Sequence, residues 1–465
     1  MPITVVDLPA EQVESILATE ENHFADLKRI DVAPAKLSRS VAAFANADGG
    51  DLYIGVAEHA TNRTWAGFAD PEDANGHIQV FEEVLPLGEY SDVEFLRDAA
   101  HPELGVVLHV AIRKTPSVQK STDGTIYVRR GSQNLPLRES YAIRRLEYAK
   151  GAVSFESHPL DVPLDFVTDS DVLTKFVEQI VPTSAPEPFL RQQLLIRDGK
   201  PTVAAVLLFS DEPQAALPKQ SGIKIYRYAT TDETGSRANL AGQPMTVEGD
   251  IYSQIYGAVA ATRDVIEGIQ VLTPDGLQGI EYPDVTLHEI ITNAVLHRDY
   301  SIADDIHVRI FDNRVEVESP GRLAGTVTVE NILDDRFSRN GALVRWINKF
   351  PDPPNKDVGE GLKSAFDAMR SLELQPPVIT EKASSVLVKI RHQRLASPEQ
   401  MIVEYLQTHD EITNSVVRQL TGIGSENRVK TVFQRMMRAG EIEAVPGRSL
   451  RYAAYRLPAA STPPD

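Results

Sequence analysis

The residues best suited to chemistry stand four apart in the stretch 287–300, LHEIITNAVLHRDY. Glu289, Asn293 and His297 share that interval, so a helix stacks them along one stripe. Ile290, Ile291, Ala294 and Val295 fall largely off the stripe and suit a core-facing side. An asparagine and a glutamate on one pocket wall can hold Mg²⁺ with its waters, and the glutamate can also orient an attacking water. The competing reading is a polar helix face against a neighbouring domain, because three residues at one interval arise readily by chance.

Such a helix needs a sheet beneath it. The segments 306–311 and 314–318 read as a hairpin around Asp312-Asn313, and 386–390 closes the sheet. Arg339-Asn340 and the proline- and aspartate-rich loop 350–357 suit a lid or its hinge. Four further pieces follow the helix in order: VEVESPGRL at 315–323, FSRNGAL at 337–343, VGEGL at 358–362 and AMRSLELQPP at 368–377. With the 287–300 stretch they resemble the GHKL ATPase superfamily, in the variant of bacterial ATP-binding proteins that carry an N-terminal Schlafen/AlbA-like domain.

That resemblance implies helices on one face of a mixed sheet, with ATP and Mg²⁺ between the helix and a mobile lid. By position Asn293 is the metal-bridging residue and Glu289 polarises water, with His297 on the same cofactor-facing stripe. The superfamily's Asp-x-Gly-x-Gly box is absent, and Glu318-Ser319-Pro320-Gly321 stands there instead. The second glycine region survives as Gly359-Glu360-Gly361, opening a helix whose N–H groups can receive phosphate.

A chain of 465 residues exceeds one core and suggests three or four domains. The expected division is 1–150, a middle α/β connector at 151–280, the GHKL-like domain at 281–393, a winged helix at 397–458 and a disordered tail at 459–465. The fold class is therefore α/β and α+β, multidomain. Hydrophobic content of 42% is ordinary for a globular protein. The absence of cysteine excludes disulfides, thiolate catalysis and cysteine-bound zinc, and fits a cytoplasmic address. No apolar run spans a bilayer, and the N-terminus lacks a signal pattern. A net charge of −19 argues against indiscriminate coating of nucleic acid, while leaving room for a local basic surface.

Near the start, 11–18 reads as a helix, and Phe24, Asp26 and Lys28 as one face of a strand. The segment 34–46 reads as an amphipathic helix, Asp48-Gly49-Gly50 as a turn, and 51–56, 105–110 and 125–130 as strands. Asp26-Leu27-Lys28, AFANADGGDLYIGV at 43–56 and YVRRGSQ at 127–133 resemble the Schlafen/AlbA-like domain across about 20–136. Such domains are associated with nucleic acid, and some relatives cut RNA with a carboxylate triad and a divalent ion. By position that triad is Glu21, Asp26 and Glu58, with Asp26 and Glu58 exchanging the usual carboxylate lengths. A binding or structural role, with Lys28 neutralising Asp26, is the alternative. Lys28, Arg129 and Arg130 are the candidate phosphate contacts, Arg129 and Arg130 alternating across their strand.

The middle reads as a connector at 147–163, a helix from Ser170 to Pro182, strands at 191–195, 202–209 and 223–228, and a helix at 254–266. VAAVLLF at 203–209, an unbroken apolar run, is assigned to a central strand. At the C-terminus three helices and a basic hairpin resemble a winged helix. Val416, Val417 and Leu420 are buried on the second helix, and Val429, Val432, Phe433 and Met436 form the third helix's core stripe. Arg428, Lys430 and Arg435 then face duplex DNA, with Arg448 and Arg451 on the wing.

The sequence thus points to a nucleotide-responsive nucleic-acid-binding protein, an ATP-binding bacterial transcriptional regulator acting as a homo-oligomer. The alternatives are a metal-dependent RNA endonuclease and a non-catalytic scaffold.

Overall fold

The first sheet takes its strands from both ends of the N-terminal segment. In chain order come β1 (Val5–Leu8), α1 (Ala10–Ala18), β2 (Ala25–Lys28), α2 (Pro34–Asn46), β3 (Gly50–Ile54) and a hairpin of β4 (Val56–Glu58) and β5 (Arg63–Trp65). A short α3 (Asn75–Gln79), β6 (Ser91–Asp98), β7 (Val106–Ile112), a hairpin of β8 (Ile126–Arg130) and β9 (Gln133–Leu137), and α4 (Ser140–Lys150) follow. The sheet order is β1-β6-β7-β3-β2. The computed structural model describes residues 3–458 except 59–61, 220, 274–275, 280–281, 355–360, 373, 393–397, 422–424 and 447–452.

Proline at the first turn of α2 fits a helix start, where its missing N–H is not needed. Leu37, Val41 and Phe44 form the expected buried stripe, and Ala42, Ala43 and Ala45 are also fully buried, so the helix packs closely on two sides. Phe24 departs from expectation. It precedes β2 and stands 56% exposed, rather than sharing a strand face with Asp26.

The next segment is mainly helical: α5 (Asp165–Thr168), α6 (Asp171–Ile180), α7 (Pro186–Gln192), a small hairpin of β10 (Ile196–Arg197) and β11 (Lys200–Pro201), α8 (Val203–Phe209) and α9 (Pro213–Ala216). Two expected strands therefore do not form. The run VAAVLLF is α8, capped by Thr202, whose Oγ1 accepts from the Ala205 N–H at 3.3 Å. All seven of its residues are buried, which explains its lack of a polar face. The segment expected as strand 191–195 begins as the end of α7, and part of the expected 147–163 connector is α4.

A second sheet then forms from β12 (Ile223–Arg227), β13 (Met245–Val247), and, after α10 (Ile251–Glu267), the hairpin β14 (Gln270–Thr273) and β15 (Gly276–Gly279), and α11 (Asp284–Leu296), from β16 (Ile306–Ile310) and β17 (Arg314–Pro320). After α12 (Gly341–Ile347) and α13 (Gly361–Ser371) it is completed by β18 (Val378–Glu381) and β19 (Ser385–Arg391). Its order is β13-β12-β16-β17-β19-β18. β16 and β17 are the expected antiparallel hairpin, whereas β19 is internal and β18 forms the edge. The layers are those of an α/β sandwich, with α10 and α11 against the sheet.

Residues 1–366 with 377–390 make one compact unit, and 367–376 with 391–465 make a second. The second contains α14 (Pro398–Leu406), β20 (Ile412–Thr413), α15 (Asn414–Thr421), α16 (Glu426–Ala439), β21 (Glu443–Ala444) and β22 (Ala454–Arg456), with strand order β20-β22-β21. Val417, Val429, Val432, Phe433 and Met436 are in its core. Leu420, expected inside, is 41% exposed. Among the described residues no helix is long and apolar enough to cross a membrane.

Candidate functional site

α11 places Leu287, Ile290, Ile291, Ala294 and Val295 in the core, which turns Glu289, Asn293 and His297 the other way. All three line a cavity of about 980 Å³ between the helix and one face of the second sheet. Val317 and Ser319 of β17, Val386 and Val388 of β19 and Ile379 of β18 form the opposite wall. The walls are thus apolar, with polar groups at a few points, as small-molecule sites require.

Asn293 Nδ2 donates to Glu289 Oε1 at 2.8 Å. Burial raises the Glu289 carboxyl above its usual range, and the Asn293 hydrogen bond only partly offsets this. Gly361, which opens α13, leaves room for that carboxylate, since a Cβ there would lie 2.0 Å from Glu289 Oε1. His297 ends α11 and is exposed on the cavity side. Desolvation first, and the Arg339 charge second, push its pKa down to about 4, so the imidazole is neutral at pH 7.

The rest of the HRDY sequence fixes the end of α11. Arg298 and Tyr300 are buried, and Asp299 pairs with buried Arg339 at 2.6 Å. Asn340 Nδ2 donates to the carbonyls of Leu296 and Arg298 at 2.9 and 2.8 Å. Arg339 and Asn340 therefore lock the helix end rather than serving as a hinge. Gly321 has φ +105° and lies so near Asp299 that a Cβ would stand 2.5 Å from the aspartate Cβ. Strand alternation sends Glu318 away from the cavity, to Arg309, Lys382 and Ser385, which hold its carboxyl down to about 2 against the effect of burial. Ser319 faces the cavity and donates to the Ala294 carbonyl at 2.7 Å. Gly359 lies outside the described residues.

A feature that sequence reasoning missed is the back of this wall. Arg322 and Leu323 line the cavity and also grip the first sheet's domain. Arg322 Nη2 lies 2.6 Å from Asp48 and 2.9 Å from Glu381, while Asp48 also meets His23 at 2.6 Å. Lys114 Nζ donates to the Leu323 carbonyl at 2.6 Å, and Lys150 Nζ to the Ala45 carbonyl at 2.8 Å. Burial, aided by the Lys114 charge, brings Lys150 down to about 7. The signals were the Asp48-Gly49-Gly50 turn and the Pro320-Gly321-Arg322 segment, but nothing in the sequence pairs them.

Of the three carboxylates expected at the front of the first sheet, Glu21 and Asp26 share one ammonium, and Glu58 pairs elsewhere. Lys28 Nζ lies 2.8 Å from both Glu21 Oε1 and Asp26 Oδ1. Glu58 turns to Arg63 at 3.1 Å. Among the described residues no three His, Asp or Glu side chains gather to hold a metal ion. Arg129 is a correction to the expected phosphate contacts. It is 1% exposed, donates to the carbonyls of Asn22 and Ala25, lies 3.4 Å from Asp26, and sits 4.8 Å over the Phe44 ring. It is a buried strut with no free face for a ligand. Lys28 is committed to its two carboxylates, and Arg130 is exposed at the hairpin tip.

In the second unit Arg428, Lys430 and Arg435 are exposed on α16, with Lys430 paired to Glu426 and Arg435 to Glu399. Arg448 and Arg451 lie outside the described residues.

Comparison with known proteins matches two parts of the chain, neither of which includes α11. Residues 21–138 match the family "Schlafen, AlbA_2". Residues 303–390 match the family "Putative ATP-dependent DNA helicase recG C-terminal", HATPase_c_4. No curated protein matches the chain. The solved DIP2311 protein from Corynebacterium diphtheriae is similar at 19% identity over 96% of each chain, with a TM-score of 0.40. The chain thus carries a Schlafen/AlbA-like domain and an ATPase-type domain.

Proposed function

We propose that the chain is an ATP-responsive nucleic-acid-binding protein, of the kind that regulates transcription in bacteria. The observation that carries the reading is the Glu289–Asn293 pair on the wall of a cavity large enough for a nucleotide. An amide oxygen and a carboxylate suit Mg²⁺, which keeps several waters and takes few protein ligands beside phosphate oxygens. When bound, Mg²⁺ would supply charge neutralisation for the phosphates. Glu289, kept more basic than an ordinary carboxyl by burial, would orient water beside them. His297, uncharged, would leave the positive charge of the cavity to Arg263, Arg322, Arg336 and Arg339.

The route from cavity to nucleic acid would run through Arg322. Its segment faces the ligand on one side and Asp48 on the other, so occupancy can bias the first sheet's domain. We read the second unit's three helices and three short strands as a winged helix, with α16 presented to the major groove. Pairing of two chains would add avidity. The RNA endonuclease alternative is disfavoured by the Lys28 ammonium held between Glu21 and Asp26.

Salt-dependent binding of labelled duplex DNA, measured with and without ATP and Mg²⁺, tests this function. The expected result is binding that ATP shifts and that Arg428→Ala with Arg435→Ala weakens. Binding indifferent to both ATP and the paired substitution would overturn it.

A further inference from the structure

The outward face of α4 carries an aromatic and basic stripe that the nucleotide site does not use. At 100° per residue, Tyr141, Arg144, Arg145 and Tyr148 fall within one narrow sector, and Lys150, Leu146 and Ile143 fall opposite. Tyr141, Arg144 and Arg145 are exposed and Lys150 is buried on the inner side, while Tyr148 at the edge of the stripe is half-buried against Phe155. Tyr141 stands 74% exposed, the most open of the large hydrophobic side chains. Arg145 lies over its ring, 5.8 Å from the centroid. Arg138, just before the helix, is exposed as well, as are Arg144 and Arg145.

Two observations separate this stripe from an ordinary solvated face. Packing gives no reason for so open a tyrosine, because its ring contacts only Arg145 among the described aromatic and cation pairs. In a chain of net charge −19, Arg138, Arg144 and Arg145 also have no carboxylate partner among the described residues. Carboxylates are near in sequence, with Glu139 at the start of α4 and Glu147 on its flank, yet neither pairs with them. Arg145 thus engages one face of the ring and leaves the other open, beside cations that have no carboxylate partner among the described residues.

We infer that this face of α4 binds single-stranded nucleic acid, with Tyr141 stacking on a base and Arg138, Arg144 and Arg145 meeting the backbone phosphates. A flat ring can stack only on a base whose face is open, which a duplex interior does not offer. Tyr141 and Arg145 are separated by about 6 Å of helix rise, and Arg138 precedes the helix, so the cations can reach successive phosphates. The inference rests on the proposed nucleic-acid-binding function and adds a surface on the first compact unit, separate from α16.

The test is fluorescence anisotropy of the full chain with labelled oligo-dT and with a labelled duplex of mixed sequence. Tyr141→Ala should weaken oligo-dT binding about five- to a hundredfold, while Tyr141→Phe keeps it. Arg144→Ala with Arg145→Ala should flatten the logarithmic salt slope by about 1.4. Thermal unfolding of all three variants should match the parent, since the side chains are exposed. A parent that binds oligo-dT with an affinity unchanged in both alanine variants overturns this inference, as does a parent that binds only the duplex, and either leaves the wider function standing. A parent that binds neither overturns both.

Discussion

Arg322 and Asp48, 274 positions apart in the chain, meet at 2.6 Å and join the cavity wall to the first sheet's domain. Burial alone would raise Asp48. The Arg322 charge, hydrogen bonds from His23 and Arg322, and the Lys114 charge instead bring it below its ordinary 3.8. A depressed carboxyl contributes stability above its unfolded pKa and loses it as pH falls through the folded value. Arg322→Ala should therefore cost about 1–3 kcal/mol near neutral pH and progressively less as pH falls from 3.8 through the lower folded value. Urea unfolding of the single variants and of the pair with Asp48→Asn checks this, and strongly non-additive losses are expected.

Arg129 yields a different kind of loss. Removing one member of a buried, hydrogen-bonded charge pair costs about 3–5 kcal/mol, so Arg129→Ala should lower the thermal midpoint of the N-terminal domain sharply. Arg129→Lys should not rescue it, because an ammonium lacks the planar fork that reaches Asn22, Ala25 and Asn134 together. A surface phosphate contact would show weaker nucleic-acid binding with unchanged unfolding.

The neutrality of His297 is testable by pH. Its folded pKa of about 4 lies below the ordinary 6.5, so between those values the unfolded chain takes up more protons. Stability should fall as pH drops from 6.5 toward 4, and His297→Gln should remove part of that slope. An imidazole NMR titration should show the ring uncharged at pH 6.

The cap of α8 gives a stability prediction independent of any ligand. Thr202→Ala removes the acceptor of the Ala205 N–H and should cost about 1 kcal/mol. Leu207→Ala, in a fully buried position, should cost about 2–5 kcal/mol. Chemical denaturation measures both.

These positions also show what the sequence could reveal. The α11 stripe was legible because a polar series every four residues cannot lie in a core, and Leu37, Val41 and Phe44 marked α2 in the same way. The run at 203–209 was not, because a helix buried all round has lost the polar face that reveals its period. Thr202 was the remaining clue, a capping residue just before the apolar run. The character of Arg129 was hidden too. Strand alternation gives a side, but only the fold sets Asn22, Ala25 and Asp26 around the guanidinium. Likewise the sequence offers the carboxylates Glu21, Asp26 and Glu58, while Lys28 and Arg63 decide where each one turns.

The central claim is that Glu289 and Asn293 face a nucleotide, and calorimetric titration of the full chain with ATP and Mg²⁺ tests it most directly. The account predicts saturable binding that weakens without Mg²⁺, disappears in Asn293→Ala, and persists in Glu289→Gln without release of phosphate. Absence of ATP binding by the parent, or undiminished binding by Asn293→Ala, would contradict it.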